Sequence, residues 1–296
     1  MSSWITPEEA LQAIRRGQGK GIRIALLDSG VEVSHPALSG LRLVDDIAVV
    51  QAGMKLKVVP GEGRDLFGHG TAIAGILRQV APEAELGSIR VLGESLSART
   101  AIILEGARQA IERGYHILNC SLGCGIPEHV LKYKNWVDEA YTKGAHVVAA
   151  CNNQDSGRPE WPGFFTSVMT VNMARVEQGG EVYYRAGSLV EFSARGVDVE
   201  VPWCGGAMKK VTGSSFAAPQ VAGMLACLLS EVPLITPVQA KALFQRLAHK
   251  WTPAITAPNE RLPSAEGPAP ADSPPASKPA NVISLRPGMD DERGLL

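Results

Sequence analysis

Three short stretches carry side chains that could do nucleophilic chemistry. The first is Leu26-Leu27-Asp28-Ser29-Gly30, an acid at the end of an apolar run. The second is Gly68-His69-Gly70-Thr71-Ala72-Ile73-Ala74-Gly75, a histidine set among small residues. The third is Thr212-Gly213-Ser214-Ser215-Phe216-Ala217-Ala218-Pro219, where a Gly-Ser turn feeds an apolar segment. An imidazole that titrates near neutrality is the natural general base. A hydroxyl beside it can become a nucleophile, and a carboxylate can hold the imidazole tautomer. Each stretch alone has a plain structural reading: an Asp-Ser-Gly turn, a packed imidazole, a serine N-cap. Order and flanks turn three weak signals into one.

These residues need elements to position them. Residues 22–27 are short, apolar and rich in β formers, and they stop at Asp28, as a buried parallel strand would. Residues 86–91, 116–120 and 146–151 repeat the pattern. Helices are predicted over 5–17, 101–112, 130–143 and 217–229, the last apolar nearly all round and therefore buried. Alternating strands and helices predict an α/β fold, a three-layer parallel sheet with helices on both faces. An acid at the carboxyl end of a central strand then lies where open α/β sheets place their sites. The small residues let a helix start just after His69, with Thr71 as N-cap. Ser215 falls at a helix N-terminus, where unfilled N–H groups and the dipole favour developing negative charge.

With 296 residues, 45% of them hydrophobic, the chain can bury a full core without staples. A net charge of −1 gives no global pull toward nucleic acid or anionic lipid, and no apolar run is long enough to span a membrane. The five cysteines are odd in number and widely spaced, and Cys120 and Cys124 have no second close pair to complete a metal site. Met1–Lys20 has Glu8 and Glu9 where a secretion signal needs apolar residues, so a cytoplasmic setting is expected. No metal or cofactor is expected. Close to half of the 20 prolines lie beyond Trp251, mixed with Ala, Ser and Glu. Residues 251–296 therefore read as a disordered tail after a domain over 21–250, with 1–20 as a short extension. The apolar ends Val282-Ile283-Ser284-Leu285 and Gly294-Leu295-Leu296 could dock a partner or be mere unfolded chain.

Taken in order Asp, His, Ser, the three motifs resemble the subtilisin-like serine peptidases. Asp28-Ser29-Gly30 and His69-Gly70-Thr71 match that family's signatures, while Gly213-Ser214-Ser215-Phe216-Ala217 departs at Ser214 and Phe216. The resemblance spans about Gly21 to Leu229 and implies Asp28, His69 and Ser215 as a catalytic triad. It further implies Asn153, closing His146-Val-Val-Ala-Ala-Cys-Asn-Asn153, as an oxyanion donor, with Asn152 where the family usually has glycine. Ser121-Leu122-Gly123 resembles the segment that pairs with substrate backbone by strand addition. Glu160, before Trp161-Pro162-Gly163, aligns with the base of the primary specificity pocket and would favour Lys or Arg at the cleaved residue. Ile76 to Pro82 leaves no room for the calcium loop of secreted members, and only Met1–Lys20 stand where those carry a long propeptide. Cys120, Cys124 and Cys151 fall near the groove, as packed small residues or as the source of thiol-sensitive activity. The activity implied is a serine endopeptidase that processes an intracellular peptide or protein. The alternatives are a peptide macrocyclase or transpeptidase with the same triad, and a non-catalytic peptide-binding pseudopeptidase.

Overall fold

A computed structural model describes residues 5–255 and the strand at 282–284. In chain order the elements are α1 (Pro7–Arg16), β1 (Arg23–Asp28), β2 (Asp45–Ala52), β3 (Lys55–Pro60), α2 (His69–Val80), β4 (Glu85–Arg90) and β5 (Ser97–Arg99). Then come α3 (Thr100–Glu112), β6 (Ile117–Cys120), α4 (Val130–Thr142), β7 (His146–Ala150), β8 (Met169–Ala174), β9 (Val182–Tyr184) and β10 (Phe192–Arg195). The last are β11 (Val199–Trp203), β12 (Ala207–Val211), α5 (Ser214–Glu231), α6 (Pro237–Leu247), β13 (His249–Lys250) and β14 (Val282–Ser284).

The main sheet runs β13-β9-β10-β8-β7-β6-β1-β4-β2-β3. From β10 through β2 every pairing is parallel. β1 lies between β4 and β6, so the chain first builds one side of the sheet and then returns to build the other. Crevices form at such reversals, at the carboxyl ends of the strands. Central strands are buried on both faces, as the near-continuous apolar runs of β1 and β7 require. One apolar cluster joins α1, α2 and α5 to one face, and a second joins α3 and α4 to the other. The expected three-layer α/β architecture is therefore present.

α5 is buried along almost its whole length, as its apolar circumference predicts. α1 carries a capping box, with Thr6 accepting from the Glu9 N–H and donating its own N–H to the Glu9 carboxylate, and it packs Ala10 and Ala13 inward. α2 runs unbroken from His69 to Val80. Among the described residues no helix is long and apolar enough to cross a membrane. The described residues continue past 250 to Ile255. The Trp251 N–H donates to the Tyr184 carbonyl, its ring lies under the Arg185 guanidinium at 4.3 Å, and the Ile255 carbonyl accepts from the Arg175 N–H. Residues 282–284, expected in the tail, form β14 against β5. The rest of that tail, 256–281 and 285–296 with Gly294-Leu295-Leu296, lies outside the described residues, as do 1–4.

Candidate active site

β1 ends at Asp28, a residue buried at 1% exposure. His69, 3% exposed, opens α2 and presents Nδ1 to Asp28 at 2.8 Å from Oδ1 and 3.0 Å from Oδ2. The Ser29 N–H also donates to Asp28 Oδ1, at 2.7 Å. Nδ1 thus carries the proton that Asp28 accepts, and Nε2 is left as the basic nitrogen. Glycine is required beside this pair. Gly68 holds φ 110°, and a Cβ on Gly70 would meet the Gly30 carbonyl at 2.0 Å.

Helix α2 starts two residues before the expected cap. Thr71 is not the N-cap but the third helical residue, and its N–H and hydroxyl donate to Asp65 Oδ2 at 2.8 and 2.6 Å. Asp65 Oδ1 meanwhile accepts from the Ser29 hydroxyl at 2.7 Å and from the N–H groups of Phe67 and Gly68 at 2.9 and 2.8 Å. One carboxylate thereby locks the Asp28 turn to the helix that carries His69. Sequence reasoning passed over it. Its signal was an acid four positions before the histidine, at the entry to a helix. Burial by itself lowers the His69 pKa, but the Asp28 charge and hydrogen bond, helped by the Asp65 charge, outweigh it and hold the pKa above the ordinary value.

Ser215, 7% exposed, is the second residue of α5, and the Phe216 ring packs on the His69 ring at 5.3 Å between centroids. As the second helical residue, Ser215 has no acceptor for its N–H within the helix, whereas the Phe216 N–H donates to the Gly213 carbonyl at 3.1 Å. Among the described residues the Ser215 hydroxyl makes one long contact, 3.5 Å to the Ser121 carbonyl. The Asn153 Oδ1 accepts from the Ser214 N–H and hydroxyl, both at 2.8 Å. That fixes the amide with Oδ1 on the α5 cap, while Nδ2 lies 3.4 Å from where a Cβ on Gly213 would stand. The neighbouring Asn152 faces elsewhere. Its Nδ2 donates to Glu160 Oε1 at 2.7 Å, and its Oδ1 accepts from the Gln154 and Asp155 N–H groups. Of the two asparagines, Asn153 stands beside the α5 start.

Ser121 is fully buried, and its hydroxyl donates to the Ser215 carbonyl at 3.0 Å, so its side chain holds the protein rather than facing the groove. Leu122 is buried in the apolar cluster below. Beyond Gly123, Cys124 and Trp161 exchange N–H···O bonds at 2.9 Å in both directions, which brings Glu160 against the segment. A Cβ on Gly123 would lie 2.9 Å from Glu160 Oε2, so a side chain there would push the carboxylate from its place. Burial raises the Glu160 pKa, partly offset by the Asn152 hydrogen bond and the Arg158 charge. Among the described residues no lysine or arginine forms an ion pair with Glu160. Among the described residues none of the five cysteines is joined in a disulfide. Burial pushes the Cys120 thiol well up and the Cys124 thiol up, which suits packed small residues better than reactive ones.

An α/β sheet with an Asp-His pair and a serine at a helix start defines the architecture of a nucleophilic hydrolase. The profile described as the subtilase family matches residues 19–270, and the chain belongs to that family of subtilisin-like serine peptidases. It is 31% identical over 249 residues to Subtilisin Savinase of Lederbergia lenta, a match covering 80% of this chain and 87% of that one. It is equally similar, at 31%, to M-protease of Shouchella clausii (strain KSM-K16), of whose length the match spans only 62%. Among solved structures, Sphericase superposes with a TM-score of 0.65 at 27% identity, covering 83% of this chain and 90% of that one.

Proposed function

We propose that the chain is a serine endopeptidase with Ser215 as nucleophile, His69 as general base and Asp28 as the group that orients and charge-balances the imidazole. The observation that carries this reading is the buried His69–Asp28 pair, 2.8 Å apart, packed through Phe216 against the start of α5. Neutral His69 takes the Ser215 proton as Oγ bonds to the scissile carbonyl carbon. The carbonyl oxygen becomes an oxyanion and is met by the Ser215 N–H and Asn153 Nδ2. Asp28 stabilises the imidazolium, which then protonates the leaving amine as the C–N bond breaks. Water, activated by His69, resolves the acyl ester.

The substrate is an extended peptide or protein segment that pairs its backbone along Leu122 and Gly123. Glu160, unpaired by any described cation, favours Lys or Arg at the cleaved residue. Five cysteines with no disulfide among the described residues support a reducing, cytoplasmic compartment and a processing role there. A fluorophosphonate probe tests the core of the reading. Labelling of the native protein and none of Ser215→Ala is expected, with the adduct on Ser215 by mass spectrometry. A native protein that resists labelling while binding peptide would be a pseudopeptidase. Cyclised or ligated products in place of hydrolysed ones would mark a transpeptidase.

A further inference from the structure

We propose that Val282–Ser284 is a built-in occupant of the substrate groove, competing within the same molecule with peptide substrates for the strand β5. The inference rests on the peptidase reading of the same cleft. β5 forms the rim opposite the 121–123 segment. Thr100, immediately after β5, meets His129 at 2.8 Å, and His129 in turn lies 3.9 Å from Cys124 Sγ. Leu96 and Ala98 share one apolar cluster with Leu122 and Cys124. The two rims therefore rest on a common floor.

β5 is three residues long and stands outside the main sheet, and among the described strands its only ladder partner is β14. The pairing is antiparallel, with Val282 opposite Arg99, Ile283 opposite Ala98 and Ser284 opposite Ser97. Its direction matters. The Ser97 carbonyl accepts from the Gly93 N–H, and the Val91 and Leu92 N–H groups donate to the Asp28 carbonyl. The Ser97 end of β5 is thus the end nearer Asp28, and the tail backbone runs toward that end as it passes from Val282 to Ser284. An extended substrate added to this edge needs the same backbone groups. The sequence suits the role: Val282 and Ile283 are β-branched residues in a segment otherwise rich in proline.

A three-residue ladder is weak on its own. A tether raises its local concentration to the millimolar range, so the tail should raise the apparent KM of a short peptide about 2–10-fold. Competition for the free cleft leaves kcat unchanged. The test compares the full chain, the full chain with Ile283→Pro, which removes a backbone N–H and fixes φ away from the extended strand value, and a chain ended after Asn281. A short fluorogenic peptide gives KM and kcat. The same sequence as a labelled, uncleaved ligand gives Kd on each protein carrying Ser215→Ala. KM and Kd lower by that factor in both tail variants, at unchanged kcat, are the expected result. Equal values in all three proteins overturn the proposal. A difference that vanishes on dilution overturns its intramolecular form and assigns the strand to a second copy. If no protein turns over peptide yet Kd still depends on the tail, the peptidase reading fails and this one stands.

Discussion

Replacing Ser121 by alanine tests how the backbone of the nucleophile is held. Pro219 lies four residues beyond Ser215 inside α5 and has no N–H, so the Ser215 carbonyl lacks its helical donor. The Ser121 hydroxyl serves it at 3.0 Å and accepts from Asn119 Nδ2 at 3.1 Å. Ser121 is fully buried, which leaves no direct route for water to substitute. In Ser121→Ala the unsatisfied carbonyl costs about 1–3 kcal/mol, and the lost Asn119 bond about 1 more. Denaturant unfolding should therefore show a loss of about 2–4 kcal/mol. The loosened Ser215 backbone should lower kcat, by up to about 10²-fold for a displacement near 1 Å, with little change in KM. Pro219→Ala supplies the control, because its new N–H can serve the Ser215 carbonyl. In that background Ser121→Ala should cost about 1–2 kcal/mol less. An equal cost in both backgrounds would refute the reasoning.

Asn153→Ala should reduce kcat by about 10²–10³, the loss known for one oxyanion donor in subtilisin, with KM little changed. A comparable rise in KM instead would make Asn153 a binding group. Asp65→Asn removes a charge that raises the His69 pKa. Activity needs neutral His69, so the raised pKa sets the acid limb of kcat/KM above the pH of an ordinary histidine, and the variant should move that limb to lower pH. A limb that stays in place or moves up contradicts this assignment. Glu160→Gln should reduce the preference for Arg over an isosteric neutral residue by about 10–100-fold, the worth of a charge-assisted contact. Because burial raises the Glu160 pKa, the native preference should also fade on acidification at a pH above the ordinary glutamate range. A profiling library cleaved equally after Phe or Leu would remove Glu160 from this role.

The parts of the site legible in the sequence are those with a constraint written into neighbouring residues. Asp28 closes an apolar run, His69 lies between glycines that the Gly30 carbonyl and a left-handed turn demand, and Ser215 precedes a helix apolar on every side. Asp65 was less visible because its five acceptor contacts come from a fold-dependent meeting of the Asp28 turn with α2. Ser121 reads as a substrate contact from its motif, yet its hydroxyl is turned inward by the gap that Pro219 leaves in α5. The β2–β3 hairpin is hard to read from sequence for a different reason. β3 is largely exposed, so its residues need no apolar alternation, and only the Gly53 turn at φ 63° marks it. The β5–β14 ladder joins segments far apart in the chain, and nothing local at Ser97–Arg99 announces a partner.

Gly213 offers a sharper test of the α5 start. Both helices that carry the chemistry begin after a glycine with no side-chain cap of its own: Gly68 before α2 and Gly213 before α5. The capping is done from elsewhere, by Asp65 on the Thr71 N–H and by Asn153 on the Ser214 N–H. An ordinary N-cap side chain accepts from the second or third helical N–H. In α5 those belong to Ser215 and Phe216, so a capping residue at 213 would compete for the N–H that the oxyanion needs. Sterics do not forbid one. Gly213 has an extended φ of 164°, and a Cβ there would meet Asn153 Nδ2 at 3.4 Å and Phe216 ring atoms at 3.5 Å, ordinary contacts. Gly213→Asp should therefore fold with stability unchanged or raised by about 0.5–2 kcal/mol. Its kcat should nonetheless fall by at least about 10²-fold, as a carboxylate occupies the place of the developing negative charge. A variant as stable as the native chain with unchanged kcat would show that the Ser215 N–H is not an oxyanion donor.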